Sequence, residues 1–185
     1  PDQLRERLTW FWFNHFNVHQ YKANIRVLVG DYEDRAIRAN ALGKFRNLLS
    51  ATLHHPVMLR YLDNADNAAG HLNENYAREI MELHTLGVGG GYTQDDVTSL
   101  ARVITGWTFA GRQGQLGAPG SFVFNANAHQ PGPQQVLGKT YAQAGIAQGE
   151  AVLSDIARHP STAKFIATKF ARHFVADDPP PALVA

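Results

Sequence analysis

Cysteine is absent from the 185-residue chain, and this absence excludes several kinds of site. The protein can form no disulfide bond, use no thiolate nucleophile and hold no thiolate-ligated metal ion. A metal site would need nitrogen and oxygen ligands, which nine histidines and sixteen acidic residues can supply. A divalent metal ion is therefore a candidate cofactor, and the composition points to no other.

Long apolar runs and runs of like charge are also absent. No stretch approaches the roughly 20 apolar residues that a membrane-spanning helix needs, and no signal peptide opens the chain. Because the chain begins at Pro1 rather than Met, an export signal could have been removed upstream, so cytoplasm and periplasm both stay open as locations. Seventeen basic and sixteen acidic residues give a net charge of +1, and without a basic run we expect no nucleic-acid partner.

The size and composition predict one domain. A chain of this length with 44% hydrophobic residues can bury a core of its own. We expect a single helical domain over residues 1–185. The chain ends in a proline-rich, linker-like stretch after residue 176, so we also expect this domain to be a fragment of a longer protein.

Apolar residues recur at helical spacing along most of the chain, which predicts a mainly α fold. We expect an orthogonal bundle of about six to eight helices, some of them joined by glycine or proline. The predicted helices lie near residues 2–19, 31–41, 44–54, 57–62, 149–159 and 161–175, with two more between 73 and 107.

The first and last predicted helices differ in their surroundings. On the first, an aromatic cluster points nearly all round the axis, which predicts a helix enclosed by others. The cluster consists of Trp10, Phe11, Trp12, Phe13 and Phe16. On the last helix, Lys164 and Lys169 lie beside the apolar positions and are expected to face water.

The composition changes after Trp107, where glycine, proline and polar residues replace the helical pattern. Short strands are predicted at 121–125 and 135–137, on either side of a stiff, proline-containing loop. We expect them to form a small β-hairpin or flap around 121–138, within an excursion from the helical body that covers 108–145.

The two central helices contain the most informative stretch of the sequence. Tyr76, Ile80 and Leu83 recur at helical spacing in the first, and glycines from Gly87 to Gly91 separate it from the second. Thr93 is placed to cap the second helix, with Asp96 completing a capping-box-like pattern.

Four stretches together resemble the bacterial family called domain of unknown function 1800. They are LTWFWFNHFNV, LLSATLHHPVMLRYLDNADN, NENYAREIMELHTLGVGGGYTQDDVTSLARVITGW and HPSTAKFIATKFARHFVADDPPP. The resemblance covers nearly the whole chain. The resemblance implies a mostly helical bacterial protein, but it supplies no established activity and no catalytic residues. It also implies a partner, since members of the family tend to be encoded beside an alkaline-phosphatase-like or sulfatase-like protein.

Polar residues of the central stretch are predicted to fix the fold. Glu74, Arg78 and Glu82 follow one another at i,i+4 spacing, so Arg78 can pair with a carboxylate on either side. If these side chains are partly buried, Arg78 holds neighbouring elements in register. The full set of predicted structural residues is Asn73, Glu74, Asn75, Arg78, Glu82, Thr93 and Asp96.

Glu79 and His84 are the candidate catalytic residues, because they flank the apolar stripe of the first central helix. Glu79 has two interpretations: a carboxylate that links helices, or a general acid or base tuned by burial. At about 100° per residue in an α-helix, Glu82 and His84 point to nearly opposite sides, which argues against a site made from Glu79, Glu82 and His84 together. We therefore expect no site built from this helix alone, and any site needs residues from other elements.

His15 and His129 could supply those residues, and His15, Glu79 and His129 are the candidate metal ligands. His15 lies in the aromatic zone of the first helix, where an unpaired polar group would cost about 1–3 kcal/mol. His129 lies in the predicted flap. The family resemblance places a His-Asp pair at this point, whereas Gln130 follows His129 here, so no adjacent acid assists it.

Two classes of function stay open. The first is a scaffold or partner-binding module. The second is a hydrolase, metal-dependent or acid/base, that uses Glu79 with His84, His15 or His129. The chain lacks the G-x-S-x-G and H-E-x-x-H motifs, and its glycine-rich turn lacks the lysine of a phosphate-binding loop. We favour the binding module on these absences.

Overall fold

A computed structural model describes residues 2–111, 113 and 116–184 of the chain. It confirms the mainly helical prediction with small β elements. The helices are α1 (Gln3–His15), α2 (Val29–Asp31), α3 (Phe45–Leu53), α4 (Pro56–Tyr61), α5 (Asn75–Glu79), α6 (Gln94–Val103), α7 (Ile146–Ile156) and α8 (Pro160–Phe174). Short 3₁₀ turns lie at Arg26–Leu28, Arg38–Asn40, Asn64–Asp66, Ala126–Ala128 and Pro181–Leu183.

Two helices continue as π-helical turns, which the sequence did not predict. Helix α2 runs into a π turn at Tyr32–Ile37, and α5 runs into one at Ile80–Thr85. In the second, the Leu86 amide donates to the carbonyl of Met81, five residues earlier, at 2.9 Å. Each π turn holds more residues than an α turn, so it rotates every later side chain about the axis.

This rotation corrects the predicted stripe of α5. Leu83 was expected to face inward, but its side chain is 47% exposed, while Met81 and Thr85 are buried. The Thr85 hydroxyl donates to the carbonyl of Ile80 at 2.6 Å. A backbone carbonyl displaced by the π turn thus gains a partner from a side chain.

The strands pair differently from the predicted hairpin. Strand β1 (Trp107–Phe109) pairs antiparallel with β2 (Phe122–Phe124), and β3 (Gln134–Val136) pairs with β4 (Lys139–Tyr141). Residues 121–125 and 135–137 therefore belong to separate two-stranded sheets. The β3–β4 turn is Leu137-Gly138, both with positive φ, as a tight type I′ turn requires.

The core is one cluster to which most of the helices contribute. Phe11 and Trp12 of α1, and Phe16 directly after it, are buried as predicted, but Trp10 is 70% exposed, so the helix is not enclosed on every side. Phe11 packs against Phe170 of α8, with ring centroids 4.2 Å apart. This packing brings the last helix of the chain against the first. None of the helices in the described part of the chain combines the length and apolar character needed to cross a membrane.

Candidate functional site

A cleft of about 440 Å³ opens where three helical elements meet. Helix α1 contributes His15, the π turn after α5 contributes His84, and α8 contributes Lys169. Glu79, the last residue of α5, also lines it. The rest of the wall is formed by Asn14, Asn17, Lys22, Tyr61, Leu62, Asn75 and Leu83.

Hydrogen bonds fix the orientation and proton position of the His15 ring. Its Nε2 lies 2.9 Å from the carbonyl oxygen of His84, and its Nδ1 lies 2.9 Å from Nζ of Lys169. A carbonyl can only accept, so Nε2 carries the proton and donates to it. Nδ1 of the neutral ring therefore accepts from the Lys169 amine. Both ring nitrogens of His15, the polar side chain that the sequence placed among the aromatic residues of α1, therefore have hydrogen-bond partners.

His84 is almost fully buried and stays neutral. Burial lowers its pKa to about 3, with His15 and Lys169 adding to the effect. Its Nδ1 is buried and has no hydrogen-bond partner among the described residues. A proton on that nitrogen would be a buried donor without an acceptor, so the ring proton belongs on Nε2.

His15 is held neutral for the same physical reason. Burial lowers its pKa to about 4, and the positive charge of Lys169 adds to this shift. The hydrogen bond to the carbonyl of His84 opposes it. Two neutral imidazoles therefore line the cleft at physiological pH.

Lys169 was expected to face water, and the structure corrects this. Its side chain is half-buried, and desolvation lowers the pKa of its amine. Within the described residues no carboxylate lies within 4.0 Å of its Nζ. Its charge lies 5.4 Å from the centroid of the Phe165 ring. No sequence signal distinguished Lys169 from the exposed Lys164 on the same helix.

The π turn brings Glu79 into the same cleft as His84. Residues five apart diverge on an α-helix but approach one another on a π turn, whose hydrogen bonds span five residues. Desolvation raises the pKa of the Glu79 carboxyl, and the nearby charge of Glu82 adds to the rise. Across the described residues Glu79 forms no ion pair or hydrogen bond.

Arg78 connects α5 to α6 rather than joining two carboxylates of its own helix. Its Nη2 lies 3.2 Å from Glu74 Oε2 and 2.8 Å from Gln94 Oε1. Glu74 also accepts from the Thr98 hydroxyl at 2.6 Å. The second partner of Arg78 is therefore Gln94 of α6, whereas the spacing predicted Glu82.

The predicted cap at the start of α6 is present. The Thr93 hydroxyl accepts from the Asp96 amide, and Asp96 accepts from the Thr93 amide at 2.8 Å. The other oxygen of Asp96 accepts from the Leu137 amide at 2.6 Å. These hydrogen bonds from Thr93 and Leu137 lower the pKa of Asp96 against the opposing effect of burial. The β3–β4 turn is thereby tied to α6.

Asn73 and Asn75 bind backbone near the cleft. The Asn73 side chain accepts from the Asn75 amide at 3.0 Å, and the Asn75 side chain donates to the Leu62 carbonyl at 3.2 Å. Both interactions are structural. The second also places Asn75 in the wall of the cleft beside Leu62.

His129 does not line this cleft. It follows the 3₁₀ turn after β2, and its Nδ1 lies 3.0 Å from the Thr105 carbonyl, to which it donates. The structure therefore brings together His15, Glu79 and His84 but leaves His129 elsewhere. Over residues 2–111, 113 and 116–184, no three His, Cys, Asp or Glu side chains are arranged to hold a metal ion.

Comparison with known proteins identifies the chain at the level of a family. A family model described as "Protein of unknown function (DUF1800)" matches residues 1–185. A search of curated proteins and a search of solved structures returned no match. The resemblance read from the sequence is confirmed over the whole chain.

Proposed function

Because the chain belongs to the domain of unknown function 1800 family, whose name states no activity, we propose a function from the cleft: the chain is a binding module that holds the anionic group of a ligand. The observation that supports this proposal is the environment of Lys169. Its ammonium group lies half-buried in the cleft and contacts a neutral ring nitrogen instead of a carboxylate.

A half-buried cation without a counter-charge favours an anion from outside. Desolvation weakens the ammonium form, and an incoming carboxylate or phosphate would restore the lost stabilisation through a charge-assisted hydrogen bond. His15 holds the lysine in place because its own ring is fixed on the His84 carbonyl. A donor held in place in this way reduces the entropy lost on binding.

Thermal unfolding with a ligand panel tests this proposal. Acetate, succinate, citrate and inorganic phosphate are titrated against the parent protein, Lys169→Met and Lys164→Met. A ligand present at 100 times its Kd stabilises the fold by about 2.7 kcal/mol, which raises the Tm of a chain of this size by about 5–10 °C. We expect this rise in the parent and in Lys164→Met.

Lys169→Met should lose the rise while remaining folded, because methionine keeps the apolar stem that packs beside Phe165. Lys164→Met is the matched control, since Lys164 is exposed on the same helix. Equal stabilisation of all three proteins, or of none, would refute an anion site at Lys169.

An acid/base hydrolase is the second candidate, and Glu79 is the observation that favours it. The carboxyl has a raised pKa, as a general acid needs, and shares a cleft with the neutral imidazole of His84. We expect Glu79→Gln to abolish hydrolysis of nitrophenyl esters or phosphates, with Asp95→Asn unchanged. Equal rates in the parent and Glu79→Gln would reject this function.

The partner implied by the family resemblance is a separate proposal. We propose that the chain contacts an alkaline-phosphatase-like or sulfatase-like protein encoded beside it. Co-expression of the two proteins with an affinity tag on one of them tests this contact. Recovery of the tagged protein alone, in low salt, would count against it.

A further inference from the structure

Two opposite charges line the cleft without pairing with each other. Lys169 contributes an ammonium group and Glu79 a carboxylate. No salt bridge within 4.0 Å joins them, and in the described part of the chain neither has another ion-pair partner. Unpaired charges in a partly desolvated site are costly, because each has lost water without gaining a partner.

The third charge in the wall is already engaged. Lys22 lies 4.0 Å from the Asp63 carboxylate and 4.6 Å from the centroid of the Tyr61 ring. It therefore competes weakly for an incoming anion and does not neutralise Glu79 by direct contact. The cleft is left with one free positive group and one free negative group.

We propose that the ligand of this cleft is a small zwitterion, an amino acid whose carboxylate binds Lys169 and whose ammonium group binds Glu79. This inference rests on the proposed function, since it assigns the anionic group to Lys169 and adds a partner for Glu79. Asn14, Asn17 and Asn75 provide amide groups in the same wall. Such groups orient a small polar ligand between the two charges.

The two charges are held on separate rigid elements. Lys169 is on α8, tethered by its hydrogen bond to His15, whereas Glu79 is at the junction of α5 with its π turn. The two groups line the same cleft but are not within 4.0 Å of each other, so a ligand that binds both must span the distance between them. A series of amino acids of increasing length therefore measures that spacing.

Isothermal titration with matched pairs tests the inference. Each pair consists of a carboxylate and the same carboxylate with a terminal amine: acetate and glycine, propionate and β-alanine, butyrate and γ-aminobutyrate. The proteins are the parent, Glu79→Gln, Lys169→Met and the control Lys164→Met. Glu79→Gln keeps the shape of the side chain and removes its charge.

We expect one amino acid to bind the parent and Lys164→Met about tenfold more tightly than its matched carboxylate, since a charged hydrogen bond contributes about that factor. Glu79→Gln should remove this advantage without weakening the carboxylate, because it takes away a negative charge that repels the anion. Lys169→Met should weaken both members of the pair.

The outcomes separate the two proposals. If the carboxylates bind with dependence on Lys169 but no amino acid binds more tightly, the zwitterion inference is wrong and the anion site stands. An advantage that persists in Glu79→Gln also overturns the inference. If neither series binds the parent protein, both proposals fail.

Discussion

Acidification from pH 7 to pH 5 should destabilise the fold through His15 and His84. Burial lowers the pKa of both rings in the folded state, whereas the unfolded chain gives each the ordinary value of 6.5. Below pH 6.5 both histidines therefore bind protons in the unfolded state but not in the folded state. The contribution of the two neutral rings to stability is fully present above pH 6.5. It falls as the pH drops towards 4 for His15 and towards 3 for His84.

The magnitude follows from proton linkage. Each ring that titrates only in the unfolded state costs about 1.4 kcal/mol per pH unit. At pH 5, about 1.5 units below the unfolded value, each contributes a loss of about 2 kcal/mol and the two together about 4 kcal/mol. This is a large share of the about 5–15 kcal/mol that stabilises a typical domain.

Urea unfolding at pH 7 and at pH 5 measures the effect. Carboxyl groups such as Glu74 contribute mainly below pH 5, because their ordinary pKa is 4.5 or lower. His55, whose pKa burial also lowers, contributes equally in every variant. In His84→Phe the loss between the two pH values should shrink by about 2 kcal/mol, since one of the two buried rings no longer binds a proton.

The control is His71→Gln, a change at an exposed loop position. It should lose as much stability on acidification as the parent protein. An equal loss in His84→Phe and the parent would refute the conclusion that His84 is buried and neutral. So would a parent protein equally stable at both pH values.

Three further changes test contacts that hold the fold together. Arg78→Ala should lower the free energy of unfolding by about 1 kcal/mol in urea, because the side chain is only 41% exposed and links two helices; a change within 0.3 kcal/mol would show that the link is not stabilising. Asp96→Ala should cost about 2 kcal/mol, seen as a Tm about 4–8 °C lower by calorimetry, since both the helix cap and the Leu137 hydrogen bond are lost; an unchanged Tm would contradict this role. Gly149→Ala should cost about 1–3 kcal/mol and alter tryptophan fluorescence, because the new Cβ would clash with the Trp107 ring; a parent-like spectrum and stability would contradict that close contact.

The sequence predicted those parts of the fold that depend on local chemistry. Thr93 and Asp96 form the expected cap because a short pattern of residues is sufficient for it. The apolar periodicity likewise located the helices. The small β elements were predicted near β2 and β3, but β2 pairs with β1 and β3 pairs with β4, because strand pairing depends on tertiary packing rather than on the nearest strand in the sequence.

The cleft depended on features that no local pattern reports. Glu79 and His84 were singled out, but α-helical geometry placed them on different sides, since the sequence gives no sign of the π turn. Lys169 was missed because its burial results from the packing of α8 on α1, which joins residues 154 positions apart. Its spacing on the helix is that of an ordinary solvent-facing lysine.

The π turn after α5 also affects how this protein tolerates changes in chain length. A π turn is an α-helix with an inserted residue, so removing one residue between Met81 and Leu83 would restore regular α-helical geometry. With that residue removed, Glu79 and His84 would be four positions apart, about 40° on a regular α-helix, so they would stay on the same side. A single-codon deletion at this point should therefore leave both the helix and the cleft in place. The extra residue of the π turn is one that the helix can lose without separating the two side chains.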